Sequence, residues 1–288
     1  RLFDRENGGF GGAPKFPSSH NLLFLLAYYR RRGDQDCLEM AERTLTQMYR
    51  GGLFDHIGGG FCRYSTDERF LVPHFEKMLY DNALLILAYC EAYSVTRKRL
   101  YLLAAERTTD FILREMTAPE GGFYSALDAD SGGEEGKYYL FKPEEIIRLL
   151  GPERGESFNQ HFDITKAGNF EGKSIPNLLH SNPEDRSFDS LLETIYQYRK
   201  SRCSLSLDDK ILTAWNALVI AALCRLYQVG GKQKYLDAAK RADRFLWETL
   251  WDGENLHVSF RAGRGEKGFL DDYAACLFAQ LSLYRATL

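Results

Sequence analysis

Hydrophobic and polar positions divide the helical segments of this chain into two kinds. In the first kind, apolar residues occupy nearly every position, so the helix must be buried on most of its sides. Such helices are predicted at residues 21–29, 83–93, 211–227 and 273–283. In the second kind, the apolar residues fall on one stripe, which indicates one buried and one exposed face. These helices are predicted at residues 36–49, 98–115 and 232–250.

The two kinds alternate along the chain and are joined by short links, such as residues 32–34 and 230–231. Short links make consecutive helices antiparallel neighbours. Repeated pairs of one inner and one outer helix predict an all-α fold, an (α/α)6-type toroid, with residues 1–288 as a single domain. About four and a half hairpins are recognisable, so we expect the ring either to be incomplete or to continue beyond residue 288.

The loops between the hairpins have their own expected structure. Short β-hairpins are expected to include strands at residues 138–141 and 256–260. One further amphipathic helix is expected at residues 188–199 within an otherwise irregular region.

Charge and hydropathy exclude several functional classes. A formal net charge of −3 argues against a general nucleic-acid-binding protein, which would carry a basic surface. No apolar run approaches the roughly 20 residues that cross a bilayer, and no signal-like segment opens the chain. We therefore expect a cytoplasmic protein that binds neither nucleic acids nor membranes. Because the chain starts at Arg1 rather than Met, we expect it to be a fragment.

The six cysteines are scattered and form no CxxC motif. Several lie inside apolar helical runs, where cysteine behaves as a small buried hydrophobe. This pattern favours reduced thiols over a disulfide framework or a zinc site. We expect no metal ion and no cofactor.

A glycine-rich stretch at residues 51–82 runs from a loop into one of the inner helices. Pro73 suits the first position of a helix, where its missing N–H costs nothing. From that start, His74, Lys77 and Asp81 would share one helix face. A histidine above a lysine and an aspartate is a candidate for proton transfer.

Polar residues recur where the inner helices begin, and parallel inner helices would gather them at one end of the ring. Carboxylates bind hydroxyl groups, aromatic rings stack on sugars, and histidines move protons, so we expect a sugar site there. The candidate catalytic residues are His74, Asp81 and Asp209. The candidate substrate-binding residues are His56, Tyr80, Asn82, Asp128, Asp130, Lys210, Trp215, Asn216, Asp272 and Tyr273.

Each of these residue types also has an ordinary structural explanation. Acids at helix starts serve as caps, which would account for Asp209 and Asp272. His74 could be a hydrogen-bonded loop histidine. The acids of residues 128–135 resemble a calcium loop, but their spacing does not fit an EF-hand. The alternative function is a non-catalytic binding or scaffold domain.

Several long motifs together resemble one known family. They include GGFGGAPKFP at residues 8–17, VPHFEKMLYDNALL at residues 72–85, SALDADSGGEEGKYY at residues 125–139 and DDKILTAWNAL at residues 208–218. These look like the signatures of the thioredoxin-domain-containing family that includes spermatogenesis-associated protein 20 and bacterial YyaL.

The resemblance implies a thioredoxin-like domain followed by a six-hairpin (α/α) domain similar to N-acylglucosamine 2-epimerase. The present chain matches only the helical part, so the thioredoxin-like domain and its cysteines are expected to be absent. Epimerase relatives use histidines as acid and base. The resemblance assigns that role to no particular histidine in this sequence, and the proposal of His74 comes from its position alone.

Overall fold

The structure is a computed structural model that describes residues 2–288. The chain forms two compact units by contact density. Unit 1 contains the described residues up to Ser18, together with Leu25–Lys77 and Asp128–Ser206. Unit 2 contains Ser19–Phe24, Met78–Leu127 and Leu207–Leu288.

Helices dominate the secondary structure. Numbered in chain order, they are α1 Ser19–Arg32, α2 Gln35–Arg50, α3 Leu79–Thr96, α4 Arg99–Glu115, α5 Pro143–Leu150, α6 Pro152–His161, α7 Asp189–Arg202, α8 Thr213–Gly230, α9 Gln233–Phe245 and α10 Leu270–Thr287. A π-helical turn, Leu246–Leu250, continues α9. Every helix predicted from the sequence is present, whereas α5 and α6 were not predicted.

The strands are all two residues long. They are β1 Tyr64–Ser65, β2 Pro73–His74, β3 Lys77–Met78, β4 Ala126–Leu127, β5 Asp130–Ser131, β6 Glu134–Glu135, β7 Leu207–Asp208, β8 Ile211–Leu212 and β9 Ser259–Phe260. The antiparallel pairs are β1 with β2, β4 with β7, β5 with β6, and β8 with β9. The strand expected at residues 256–260 is thus partly confirmed by β9. Residues 138–141 form a turn and an isolated bridge, so that strand prediction is wrong.

Unit 2 contains the inner and outer helices that the sequence pattern predicts. The apolar helix α8 packs against α3 and α10, the amphipathic helix α4 packs on α3, and α9 packs on α8. Nearly all of α3 and α8 is buried, as their continuous apolar runs require. Helix α10 differs, because Asp272, Cys276 and Ala279 are buried while Leu277 and Tyr284 are exposed. Full burial was expected there and is not observed, because α8 is the principal helix packed against α10 among the described residues.

Unit 1 combines α2, α5, α6 and α7 with long loops and the β1–β2 and β5–β6 hairpins. Helix α2 follows its amphipathic pattern and buries Leu45 and Met48, and the Asp34 side chain caps it by accepting from the Cys37 N–H. Helices α5 and α6 pack on each other. Within residues 2–288, no helix combines the length and apolarity needed to cross a membrane.

Candidate functional site

His74 lies on a strand rather than on the helix predicted to begin at Pro73. Residues 73–77 alternate between buried and half-buried positions, which is the two-residue period of a strand. Helix α3 begins only at Leu79. The prediction that His74, Lys77 and Asp81 share a helix face is therefore wrong. On a strand, residues 74 and 77 point to opposite faces, and Lys77 is buried while His74 is partly exposed.

A carboxylate from a distant hairpin holds the His74 ring. The Nδ1 atom of His74 lies 2.7 Å from Oε1 of Glu135, and the Phe75 N–H donates to the same oxygen at 3.4 Å. Glu135 reaches this position because Gly132 and Gly133 make the tight turn between β5 and β6, both with positive φ. Since an ionised carboxylate only accepts hydrogen bonds, this contact places a proton on Nδ1, which leaves the lone pair of the uncharged imidazole form on Nε2.

A second carboxylate lies beside the other ring nitrogen. Nε2 of His74 is 3.7 Å from Oε2 of Glu76, and the same oxygen accepts from Nη1 of Arg63 at 2.9 Å. The ring of Tyr64, directly opposite His74 across the β1–β2 ladder, stacks on the imidazole with centroids 5.1 Å apart. His74 is thus positioned by Glu135, flanked by Glu76 and supported by an aromatic ring.

Three consecutive glycines at residues 58–60, just before the β1–β2 hairpin, lie against a buried cluster of charged side chains. Asp55 accepts from Nη1 and Nη2 of Arg199, both at 2.9 Å, and from Nζ of Lys77 at 2.8 Å. Lys77 also donates to the carbonyl of Gly59 at 2.7 Å. A Cβ at Gly58 would collide with the Arg199 guanidinium and the Asp55 carboxylate, so only glycine fits there. The glycines therefore serve the fold of this loop.

Burial alone would raise the pKa of Asp55, but the charges of Arg199 and Lys77 outweigh it and hold that pKa well below its ordinary value. The pKa of Lys77 is lowered by burial, which the Asp55 charge offsets only in part. The Arg199 guanidinium also lies over the rings of Tyr138 at 4.5 Å and Tyr139 at 5.2 Å. All three charged groups are almost completely buried, so the cluster is a structural element of unit 1.

His56 was a candidate binding residue and is a core histidine. It is 1% exposed and packs its ring edge against Tyr49 and Phe54, with centroids 5.5 and 5.2 Å away. Its Nε2 lies 3.2 Å from the carbonyl of Gly51. These contacts account for the residue within the fold and give no support to a role in binding a ligand.

Asp128 and Asp130 lie at the start of the β5–β6 hairpin and are exposed. The Asp130 N–H donates to Oδ1 of Asp128 at 3.2 Å. The neighbouring Glu134 pairs with Lys173 and Lys137, and its hydrogen bond to Lys173 is the main reason that its pKa is lowered. Within the described residues, no group of histidine, cysteine and acidic side chains could hold a metal ion.

In unit 2, Asp81 lies in the first turn of α3 and is partly exposed, whereas it was expected inside the helix. Asn82 is fully buried and donates to the carbonyl of Met78 at 2.9 Å. The rings of Tyr80 and Trp215 pack together with centroids 4.8 Å apart, and both are partly exposed. This pair remains a candidate stacking surface.

The loop before α8 carries the remaining polar candidates. Asp209 pairs with Arg261 at 2.7 Å, and Lys210 pairs with Asp208 at 2.8 Å. Both pairs are partly exposed, so their carboxylates are accessible to solvent.

Two further candidates, Asp272 and Tyr273, hold the start of α10. Asp272 accepts from the N–H groups of Phe269 at 2.9 Å and Ala214 at 3.2 Å, which is the capping role considered from the sequence. Burial raises the pKa of Asp272. The hydroxyl of Tyr273 accepts from the Leu256 N–H at 3.0 Å. The Asp272 carboxylate and the Tyr273 hydroxyl therefore stabilise the fold at the start of α10.

Asn216 joins α8 to the loop after α4 through its whole amide group. Its Oδ1 accepts from the Phe123 N–H at 2.7 Å, and its Nδ2 donates to the carbonyls of Phe123 and Leu212, both at 2.9 Å. We expect Asn216→Ala to lower the free energy of unfolding by about 3 kcal/mol, because buried backbone groups lose their partners. Urea denaturation measures the change.

The control for that substitution is Gln160→Ala on α6, where the side chain is exposed. We expect this change to stay within about 0.5 kcal/mol of the parent protein. Equal stability of the two variants would contradict the structural role of Asn216.

Near the start of the chain, a buried ammonium group fixes the loop that adjoins β1. Nζ of Lys15 donates to Asp4 at 2.5 Å and to the carbonyls of Gly8 and Glu68, both at 2.8 Å. Burial would raise the pKa of Asp4, but the Lys15 hydrogen bond and nearby backbone N–H groups lower it to about 2.

This shift predicts a pH dependence of stability. A carboxyl group whose pKa is lower in the folded chain stabilises the fold above its unfolded value, about 3.9. The stabilisation from Asp4 is lost as the pH falls toward 2. We therefore expect the stability difference between the parent protein and Asp4→Asn to be full at pH 5 and to shrink between pH 4 and pH 2. Thermal unfolding over this range measures it, and a constant difference would contradict the assignment.

Glu135, Glu76 and Tyr64 contact His74, and none of them was a sequence candidate. The sequence carries part of the signal for these contacts, because residues 73–76 alternate in polarity and the glycine pair at residues 132–133 indicates a hairpin. The pairing of residues 61 positions apart, as for His74 and Glu135, has no counterpart in local periodicity.

Comparison with known proteins supports the family resemblance. No family model matches the chain. Human spermatogenesis-associated protein 20 is 33% identical to this chain over an alignment of 338 positions, which covers 99% of the chain. The chain is similar to this protein over nearly its whole length. It spans 43% of the human protein's length, and the resemblance inferred from the sequence motifs is confirmed.

Solved structures confirm the α/α toroid fold. A glycoside hydrolase family 76 mannosidase from Bacteroides thetaiotaomicron matches with a TM-score of 0.55 and 14% identity, over 94% of this chain and 54% of that one. An unsaturated glucuronyl hydrolase from Streptococcus agalactiae matches with a TM-score of 0.53 and 12% identity. The match covers 92% of this chain and 51% of the hydrolase. At these identities the likeness establishes the fold alone.

Proposed function

We propose that this chain is the toroid part of a carbohydrate-active enzyme, with His74 as its acid/base. The reaction class is sugar epimerisation, isomerisation or glycoside hydrolysis. The observation that carries the proposal is the partly exposed His74 ring, hydrogen-bonded to Glu135 at 2.7 Å and flanked by Glu76 at 3.7 Å.

The arrangement suits proton transfer at Nε2 of His74. The hydrogen bond from Nδ1 to Glu135 fixes the ring and its tautomer, so Nε2 can take a proton from a carbon or hydroxyl group of a substrate. The carboxylate of Glu135 then stabilises the imidazolium that forms, as the aspartate does in a catalytic triad. Glu76 and its Arg63 partner provide an acceptor and a donor for sugar hydroxyls beside the ring.

The neighbouring folds support this class of reaction. The two solved toroids are named as a mannosidase and a glucuronyl hydrolase, so both act on sugars. Within unit 2, taken by itself, Asp81 and Asp209 stay proposed as catalytic carboxylates, and Tyr80 with Trp215 as a stacking surface. The chain covers less than half of its human relative, so these roles are proposed for the toroid part alone.

Proton NMR in heavy water tests the proposal with a panel of neutral monosaccharides and oligosaccharides. Epimerisation or isomerisation exchanges the hydrogen next to the carbonyl for deuterium, and hydrolysis creates new anomeric signals. We expect one of these changes with the parent protein and with His180→Gln, an exposed histidine used as control. We expect none with His74→Gln. Turnover of no sugar, or equal turnover by His74→Gln, overturns the proposal and favours a non-catalytic binding domain.

A further inference from the structure

An aromatic stack extends outward from His74. The ring of Phe16 packs on Tyr64 with centroids 4.8 Å apart and planes 31° apart. Tyr64 in turn stacks on His74 with a centroid distance of 5.1 Å and an interplanar angle of 26°. The three rings therefore form a series with Tyr64 in the middle, in which neighbouring rings are tilted by 26–31° and which ends at the candidate acid/base.

The backbone explains why the rings line up. Tyr64 and His74 are opposite each other in the β1–β2 pair, so their side chains share one face. Lys15 and Ser65 exchange two backbone hydrogen bonds, each 2.8 Å long, which sets Phe16 next to Tyr64 on that face. The result is an aromatic series across three adjacent backbone segments of unit 1.

This series is partly exposed, whereas several other aromatic rings of unit 1 are fully buried. Phe16 is 49% exposed, and Tyr64 and His74 are half-buried. By comparison, Phe54 and Phe61 pack together at full burial. A hydrophobic core does not need the outer face of Phe16, so that face is available to a ligand.

The segment that carries Phe16 is also held rigidly. The adjacent Lys15 is 1% exposed, and its ammonium group donates to three acceptors from Asp4, Gly8 and Glu68. A platform held in this way loses little conformational freedom when a ligand binds, which favours affinity.

We propose that the outer face of Phe16 is a stacking platform for one pyranose ring of a neutral oligosaccharide whose reacting end lies at His74, with Tyr64 filling the space between the platform and the imidazole. An aromatic face and a ring of C–H groups form a flat apolar contact, while the hydroxyls at the ring edge reach polar side chains. Arg63, Glu76 and Glu135 supply polar groups for the hydroxyls of the sugar unit at His74. This inference rests on the proposed function and adds the ligand class and the subsite.

The charges around His74 select a neutral sugar. Two carboxylates, Glu76 and Glu135, contact the imidazole, and the Arg63 guanidinium is engaged by Glu76. A uronic acid would bring a third carboxylate next to these two, and like charges placed together disfavour binding. We therefore expect glucosides or mannosides to bind in preference to glucuronate.

Saturation-transfer NMR on the full chain tests the platform, with methyl glucosides, methyl mannosides, cellobiose and glucuronate as probes. We expect neutral sugars to bind and glucuronate to bind at least about tenfold more weakly. Phe16→Ala should weaken sugar binding about three- to tenfold, because one aromatic contact is lost. Phe16→Tyr keeps an aromatic ring and should bind the sugar as the parent protein does. Phe278→Ala, which removes a 43% exposed phenylalanine on α10, should leave binding unchanged.

The outcomes separate this inference from the proposed function. If neutral sugars are turned over in a His74-dependent manner and Phe16→Ala binds them as the parent does, the platform is wrong and the enzyme proposal stands. If binding depends on Phe16 but no sugar is turned over, the platform stands and the enzyme proposal fails. Preference for glucuronate, or an equal loss in Phe278→Ala, overturns the platform.

Discussion

Asp55→Asn is expected to lower the free energy of unfolding by about 3–5 kcal/mol. The substitution removes the negative charge that Arg199 and Lys77 both contact through hydrogen bonds in the buried cluster. Two buried cations would then face each other without compensation, and the N–H groups of Ile57 and Gly58 would lose the charged oxygen that accepts from them. Because a domain is stable by only about 5–15 kcal/mol, much of the stability of unit 1 depends on this carboxylate.

Two comparison variants make the test specific. Lys77→Met removes one cation and leaves Asp55 balanced by Arg199, so it should destabilise the protein less than Asp55→Asn does. Asp110→Asn breaks an exposed ion pair with Lys234 and should cost at most about 1 kcal/mol. Urea denaturation of all three gives the order, and an Asp55→Asn effect as small as that of Asp110→Asn would refute the role of the cluster.

His74→Gln is expected to reduce turnover of the sugar substrate by about 10²- to 10⁴-fold, the usual contribution of a general acid or base. Glutamine keeps a polar side chain of comparable length but cannot exchange a proton. The stability of this variant should remain near that of the parent, because His74 is partly exposed.

Glu135→Gln tests how His74 is positioned. A glutamine amide can still accept from Nδ1 but carries no charge to stabilise the imidazolium, so kcat should fall while substrate affinity changes little. An unchanged kcat would show that Glu135 does not act through His74. Glu134→Gln, next in sequence but paired with Lys173, is the matched control.

The sequence predicted the helical layers well, because their signal is local. Continuous apolar runs marked α3 and α8, and single apolar stripes marked α4 and α9. Each of these signals is complete within one or two helical turns, so no knowledge of tertiary contacts is needed to read it.

The candidate site was predicted only in part. His74 lies on β2 and not on the helix that Pro73 predicts, because residues 73–77 follow the two-residue period of a strand. Its partner Glu135 lies on a hairpin 61 residues away, and Arg199 reaches Asp55 across 144 residues. Such pairs arise when the chain folds, and no local spacing encodes them. Asp272 shows the reverse case, in which the helix-cap explanation available from the sequence matches its contacts.

Histidine-selective NMR tests the central claim most directly, namely that a neutral sugar binds at His74. The six histidines can be labelled with ¹⁵N and ¹³C, and His74→Gln assigns the His74 ring signals. Titration with a neutral pyranoside should shift the Nε2 and adjacent carbon signals of His74 and leave those of the exposed His180 in place. Unchanged His74 signals at a sugar concentration that occupies the protein, or shifts confined to other histidines, would contradict the account.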